Sequence, residues 1–172
     1  MIGWEPPTEG WFKLNVDGSV MPPASMASCS GLIRDCQGRM IAGFMMNLGN
    51  CSITLAELWD LYAGIKLARE LGIGKLLVET DSLCASNFVQ NMAPSKTAGT
   101  PLLRAIKLLL AHSWDVRVSH VYKERNFYAD LLAKKADLCQ IGLTCFSSPP
   151  AFLSAVLMAD AAGVKFARMI SM

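Results

Sequence analysis

The hydrophobic period of this chain changes from two residues to helical spacing near residue 54, and that change limits the possible folds more than any single residue does. From Trp11 the residues alternate, with Phe12, Leu14 and Val16 on one side and Lys13, Asn15 and Asp17 on the other, the pattern of a strand with one wet face. Further strands are expected at about Ser30 to Arg34 and Met40 to Asn47, around a hairpin turn at Asp35-Cys36-Gln37-Gly38. Leu58, Leu61, Tyr62, Ile65, Ala68 and Leu71 then recur at helical spacing until Gly72 and Gly74 stop the helix. LLVET is a short apolar run bounded by charges, as expected of a strand covered on both faces and paired in parallel after a helical crossover. Helices follow from about Ser82 to Asn91 and from Pro101 to about His112, separated by the polar loop APSKTAGT. Val116, Val118 and His120 suit a fifth strand, and Asn126 can cap a last helix from Phe127 to about Cys139. The expected class is α/β, a five-stranded mixed sheet of three antiparallel and then two parallel strands, flanked by helices.

With 172 residues, 52% hydrophobic and 17% charged, the chain suits one domain with a full core and excludes a disordered one. The cysteines at 29, 36, 51, 84, 139 and 145 form no CxxC pair and no cluster of zinc-ligand spacing, so any metal is sought among oxygen ligands and the thiols are expected reduced. The opening MIGWEPPTEG lacks the basic-then-apolar order of a secretory signal, which points to an intracellular compartment, nuclear or cytoplasmic. AFLSAVLMADAAGVKFARMI is broken by Asp160, Lys165 and Arg168, so it is expected to pack on the domain or dock loosely to it, not to enter a membrane. The expected organisation is a lead-in over 1–10, the main domain over 11–139 and a C-terminal tail over 140–172.

Four acids stand at the edges of these elements. Asp17 ends the strand FKLNVDGS, Glu57 lies near the start of the helix in TLAELWDLYAGIKLA, Asp81 ends KLLVETDS, and Asp130 opens the helix in ERNFYADLLAKKA. Each has an ordinary explanation by itself. Thr54 to Glu57 fits a capping box, Asp81 fits a cap, Asp130 suits the positive end of a helix, and Asp17-Gly18 suits a turn. In one fold order, the four together set out a site for two divalent metal ions. His112 and His120 sit where packing or exposure is explanation enough. The strings, their order and their spacing resemble the ribonuclease H domain of type 1, most closely the plant versions found alone or at the C-terminal end of retrotransposon reverse transcriptases. The resemblance covers roughly Trp4 to Leu138, and the flanks WEPPTEGWFKLNVDGS and SSPPAFLSAVLMAD look like that plant group as well.

The resemblance implies a ribonuclease H-like fold and a metal-dependent endonuclease that hydrolyses the RNA strand of RNA/DNA hybrids, using two Mg²⁺ ions for which Mn²⁺ can substitute. It makes Asp17 the ligand shared by both ions, with Glu57, Asp81 and Asp130 completing the set. It implies substrate contacts at Gly18, Ser19, Ser52, Thr54, Ser82, Lys123 and Asn126, with Gly18 glycine so that backbone can approach phosphate. The implied partners are the hybrid and, if the chain is part of a polyprotein, a reverse transcriptase domain; the chain itself is expected to be a monomer. Four features depart from the family pattern, one being that the turn after the first strand, usually glycine-rich, reads SVMPPASMASCSG here. The loop VYKERNFYAD carries Glu124 where many members have a histidine, Ile53 and Thr54 replace two groove-reading asparagines, and no basic handle joins the middle helices. These departures favour an alternative, a domesticated nucleic-acid-binding domain with little activity.

Overall fold

The computed structural model describes residues 3–22, 25–91 and 100–165. The elements are β1 (Phe12–Met21), β2 (Met26–Arg34), β3 (Met40–Asn50), α1 (Ile53–Glu70), β4 (Lys75–Thr80), α2 (Leu83–Gln90), α3 (Thr100–Leu110), β5 (Asp115–His120), a 3-10 turn at Lys123–Arg125, α4 (Phe127–Ala136), β6 (Gly142–Phe146) and α5 (Ala151–Ala161). Among the described residues one sheet holds all the strands, in the order β5-β4-β1-β2-β3-β6. β1, β2, β3 and β6 are antiparallel neighbours, and β4 and β5 continue parallel to β1. No helix among the described residues is long and apolar enough to cross a membrane.

The sheet therefore has six strands, not five. The sixth lies in the stretch expected as a tail, where Leu143 to Phe146 pair with Met46 to Gly43 of β3. Its residues are almost all exposed, so they lack the apolar alternation that marks a half-buried strand. The first hairpin is also longer than its sequence pattern implies. β1 and β2 stay paired out to Met21 and Met26, which turns much of the stretch between the two expected strands into ladder. Of the loop APSKTAGT, only Thr100 lies within the described residues, at the start of α3.

α1 lies on the face of the sheet formed by Leu14, Val16, Cys29, Ile33 and Phe44, and packs Leu58, Leu61, Ile65 and Ala68 against it. Gly64 permits that approach, because a Cβ there would come within 2.7 Å of a Leu14 methyl group. The other face holds Leu32, Tyr128, Leu132 and Leu153, under α4 and α5. Here the wet row expected on β1 is dry. Lys13, Asn15 and Asp17 are 5%, 0% and 6% exposed, because α4 covers them.

Burying a polar row demands partners, and a network supplies them. Lys13 pairs with Glu79 at 2.7 Å, and Asn15 donates to Glu79 at 3.0 Å and to Asn126 at 3.3 Å. Asn15 Oδ1 accepts from the Trp4 indole at 2.9 Å and from Arg34 Nη2 at 3.2 Å. Arg34 has no exposed surface; its guanidinium lies 3.6 Å from the Trp4 ring centroid and 4.7 Å from that of Tyr128, and its Nη1 meets Asp160 of α5 at 2.7 Å. The lead-in and the C-terminal helix thus close on one buried cation. Asp160→Ala should cost about 3–5 kcal/mol in urea unfolding, since it leaves that charge buried without a counterion, and adding Arg34→Met should recover most of the loss. A single variant as stable as the parent would show that α5 is not anchored through this pair.

Candidate functional site

The central strands bring two of the acids together. Val16 and Thr80 are register partners in the parallel β1–β4 pair, so Asp17 and Asp81 come next, side by side, at the same end of the sheet. α1 begins against that end. Gly18 has a role different from the one expected for phosphate access: a Cβ there would sit 2.9 Å from the Glu57 backbone nitrogen, so glycine lets α1 lie against β1 and bring Glu57 to the strand end. Asp130 arrives from the opposite face, in the first turn of α4.

The helix starts settle which acids are caps. Ser52 caps α1, its Oγ accepting from Leu55 N at 3.3 Å, so the capping box expected at Thr54 to Glu57 does not form. Ser82, not Asp81, caps α2, with Oγ accepting from Ala85 N at 3.0 Å. The same hydroxyl donates to Glu57 Oε2 at 2.6 Å, which ties the starts of α1 and α2 together. Neither Glu57 nor Asp81 is therefore needed to end a helix.

Electrostatics set the four acids apart. Burial, then the charge of the adjacent Asp81 and a hydrogen bond to its carboxyl, raise Asp17 to about 9. Burial also raises Glu57, against the Ser82 hydrogen bond and with help from the charge of Asp81. For Asp130 burial is outweighed: hydrogen bonds from Lys134 at 2.7 Å and Lys123 at 3.0 Å hold its carboxyl below the usual range. The acids are all-oxygen donors of the kind hard divalent cations take, and Asp17 with Asp81 is a like-charge pair that a cation would relieve. Among the described residues, no three acid, cysteine or histidine side chains stand close enough to hold one ion, with Glu57 turned to Ser82 and Asp130 to its two lysines. These residues suit the cation in kind. Binding would need Glu57 and Asp130 to leave their present partners.

The residues expected to touch substrate divide into two groups. Ile53 is 43% exposed at the first position of α1, Ser52 and Thr54 flank it at least partly exposed, and Ser19 is half-buried on β1. Lys123 reaches Asp130, and Arg125 pairs with Glu5 at 2.9 Å. Asn126 and Ser82 are buried. Asn126 has no exposed surface and donates to Val16 O at 2.6 Å, so it neither caps α4 with its side chain nor meets a ligand; it ties α4 to the strand that carries Asp17. His120 is Thr80's partner on β5, and its Nε2 lies 3.2 Å from the Asp81 carbonyl oxygen. One acid escaped the sequence reading: Asp60, 0% exposed and one turn after Glu57. Its signal was an acid inside the apolar stripe of α1.

Residues 15–136 match the reverse transcriptase-like family. The chain is 36% identical over 163 residues, or 95% of its length, to an Arabidopsis thaliana protein provisionally named a ribonuclease H protein, and spans 26% of that protein. Among solved structures, it superposes on the N-terminal ribonuclease H domain of a Mycobacterium tuberculosis protein with a TM-score of 0.69 at 22% identity, covering 74% of this chain and 93% of that one. It superposes on the foamy viral protease-reverse transcriptase, solved with an RNA/DNA hybrid, with a TM-score of 0.61 at 16% identity, covering 74% of this chain and 20% of that one. A mixed sheet with acids at adjacent strand ends, matched over this length, places the chain in the reverse transcriptase-like family, with a ribonuclease H-like fold.

Proposed function

We propose that this chain is an endonuclease that hydrolyses the RNA strand of RNA/DNA hybrids and depends on two divalent cations, Mg²⁺ or Mn²⁺. The observation that carries the reading is the Asp17–Asp81 pair: two neighbouring acids at a strand edge, one of them raised to about 9 by burial and by the charge of the other. When bound, two such ions activate water and neutralise charge on the leaving oxygen of a phosphodiester. Asp17 and Asp81 would hold them from the sheet, Glu57 from α1 and Asp130 from α4. Release of Asp130 from its lysines would leave the Lys123 ammonium for phosphate. Ser52 and Thr54, on the open side of α1, carry hydroxyls able to meet the 2′-hydroxyl that distinguishes RNA from DNA. Ile53 between them cannot, so phosphate contacts would carry most of the affinity and make it steeply salt-dependent.

Labelled RNA/DNA hybrid, double-stranded RNA and double-stranded DNA, each incubated with Mg²⁺, Mn²⁺ or chelator, test this directly. Cleavage confined to the RNA strand of the hybrid and abolished by chelator is the expected result. Equal cutting of double-stranded DNA, or cutting in chelator, would overturn it. Asp17→Asn should lower hybrid cleavage at least about a hundredfold while the far-ultraviolet circular dichroism stays unchanged.

The raised Asp17 also fixes a pH dependence. An acid whose folded pKa exceeds its unfolded value contributes stability that is fully present below about pH 4 and is lost as pH rises through about 9. In chelator, the melting temperature should therefore fall between pH 5 and pH 9, and both Asp17→Asn and millimolar Mn²⁺ should flatten that fall. A fall of equal steepness in the variant would show that Asp17 is not its source. Ile53→Asn should strengthen hybrid binding by ~0.5–1.5 kcal/mol in fluorescence anisotropy, with little effect on double-stranded DNA. Equal gains for both duplexes would show that the start of α1 does not face the RNA strand.

A further inference from the structure

Asp60 is a carboxylic acid on α1, between Trp59 and Leu61 in sequence and 0% exposed. Neither of its side-chain oxygens has a hydrogen-bond partner. Buried polar groups are almost always paired, and a structural acid in a core is held by donors that satisfy it. For Asp60 the nearest donor is the Leu61 backbone N–H, too poorly placed to make a full hydrogen bond and outweighed by burial, so packing does not account for it. Its position is informative. Asp60 follows Glu57 by three residues, which puts both on one side of the helix, and it lies close enough to Asp17, Glu57 and Asp81 for their charges to act on it. On the sheet side its charge reaches Cys29, whose thiol is pushed up first by burial and then by Asp60. Cys29 is the register partner of Gly18, one residue beyond Asp17.

We propose that Asp60 is a fifth acid of the cation site, a deep carboxyl behind Glu57 that helps to bind the divalent ions held at Asp17 and Asp81; the inference rests on the cation-dependent reading given above. Ligating carboxylates commonly depend on outer groups that orient them and deepen the negative field, and hydrated Mg²⁺ keeps water molecules whose protons need acceptors. Without a cation, burial and the three neighbouring acids all disfavour the charged form of Asp60. A divalent charge at Asp17 and Asp81 reverses the sign of that field. The sequence thus carries an acid that costs stability in the core and is useful only if positive charge arrives nearby.

The test is a Mn²⁺ titration at one fixed pH, read as the rise in melting temperature, on the full chain and on Asp60→Asn, Asp60→Ala and Asp17→Asn. Asp60→Ala removes the carboxyl and leaves no polar group to satisfy, so folding does not depend on finding it a partner. In chelator both Asp60 variants should melt no lower than the parent. Their Mn²⁺ midpoints should rise about tenfold, the loss usual for outer groups of a metal site. A merely structural acid would move the melting temperature in chelator and leave the midpoint in place. Asp60 midpoints within about twofold of the parent, with Asp17→Asn strongly displaced, would overturn this inference and leave the cation site standing. No displacement in Asp17→Asn would overturn the cation site and the role of Asp60 together.

Discussion

A single buried guanidinium organises one whole face of this protein. Arg34 ends β2 under α4, without access to solvent, and its charge is held by Asp160, by the faces of Trp4 and Tyr128 and by the side chain of Asn15. A cation in that position is tolerable only if every one of those partners stays in place, since a buried ion that loses its counterion is far costlier than one never buried. The constraint spreads along Asn15. That side chain also meets Glu79 and Asn126, and Asn126 reaches the backbone of β1. Trp4 and Asp160, far apart in sequence, therefore help to fix Asn126, just before α4 and four residues before Asp130.

The acid cluster is built on the opposite principle. Asp17, Glu57 and Asp60 are gathered near Asp81, where burial and the neighbouring negative charges disfavour their own charge. Asp130, between Lys123 and Lys134, is held the other way, below the usual carboxylate range. The network around Arg34 makes a rigid frame by satisfying nearly every group, whereas the cluster holds unsatisfied charge on that frame. Rigidity on one face allows frustration at the strand ends, because acids that could move apart would do so.

What the sequence made legible follows from the range of the forces involved. Period and punctuation are local, so the order of the first three strands, α1 and the β4 crossover could be read from alternation, helical spacing and glycine stops. The edge positions of Asp17, Glu57, Asp81 and Asp130 could be read for the same reason. Asn126 sits just before a helix, where local rules make it a cap, yet its side chain turns to a strand 110 residues away in sequence. Lys13, Asn15 and Asp17 look like a solvated row until α4 covers them. By local pattern Arg34 is the end of a strand and its partner Asp160 an interruption in an apolar stretch. β6 carries no alternation because it is held by ladder bonds and hardly by burial. In each case the deciding contact is distant in sequence, and no local pattern encodes it.

β6 has a consequence for how this protein can be handled. β3 is eleven residues long and carries Ile41, Phe44, Met45 and Met46, and β6 covers the middle of its outer edge. A chain cut after α4 would leave that stretch of β3 as an unpaired edge, the kind of surface on which strands of other molecules add. With β6 in place, the stretch from Gly43 to Met46 is paired, and a five-residue strand borders the sheet there instead. The residues that look most dispensable thus decide whether the domain stays dispersed in solution, and an expression boundary drawn at the last catalytic-looking helix would favour aggregation even where the core folds.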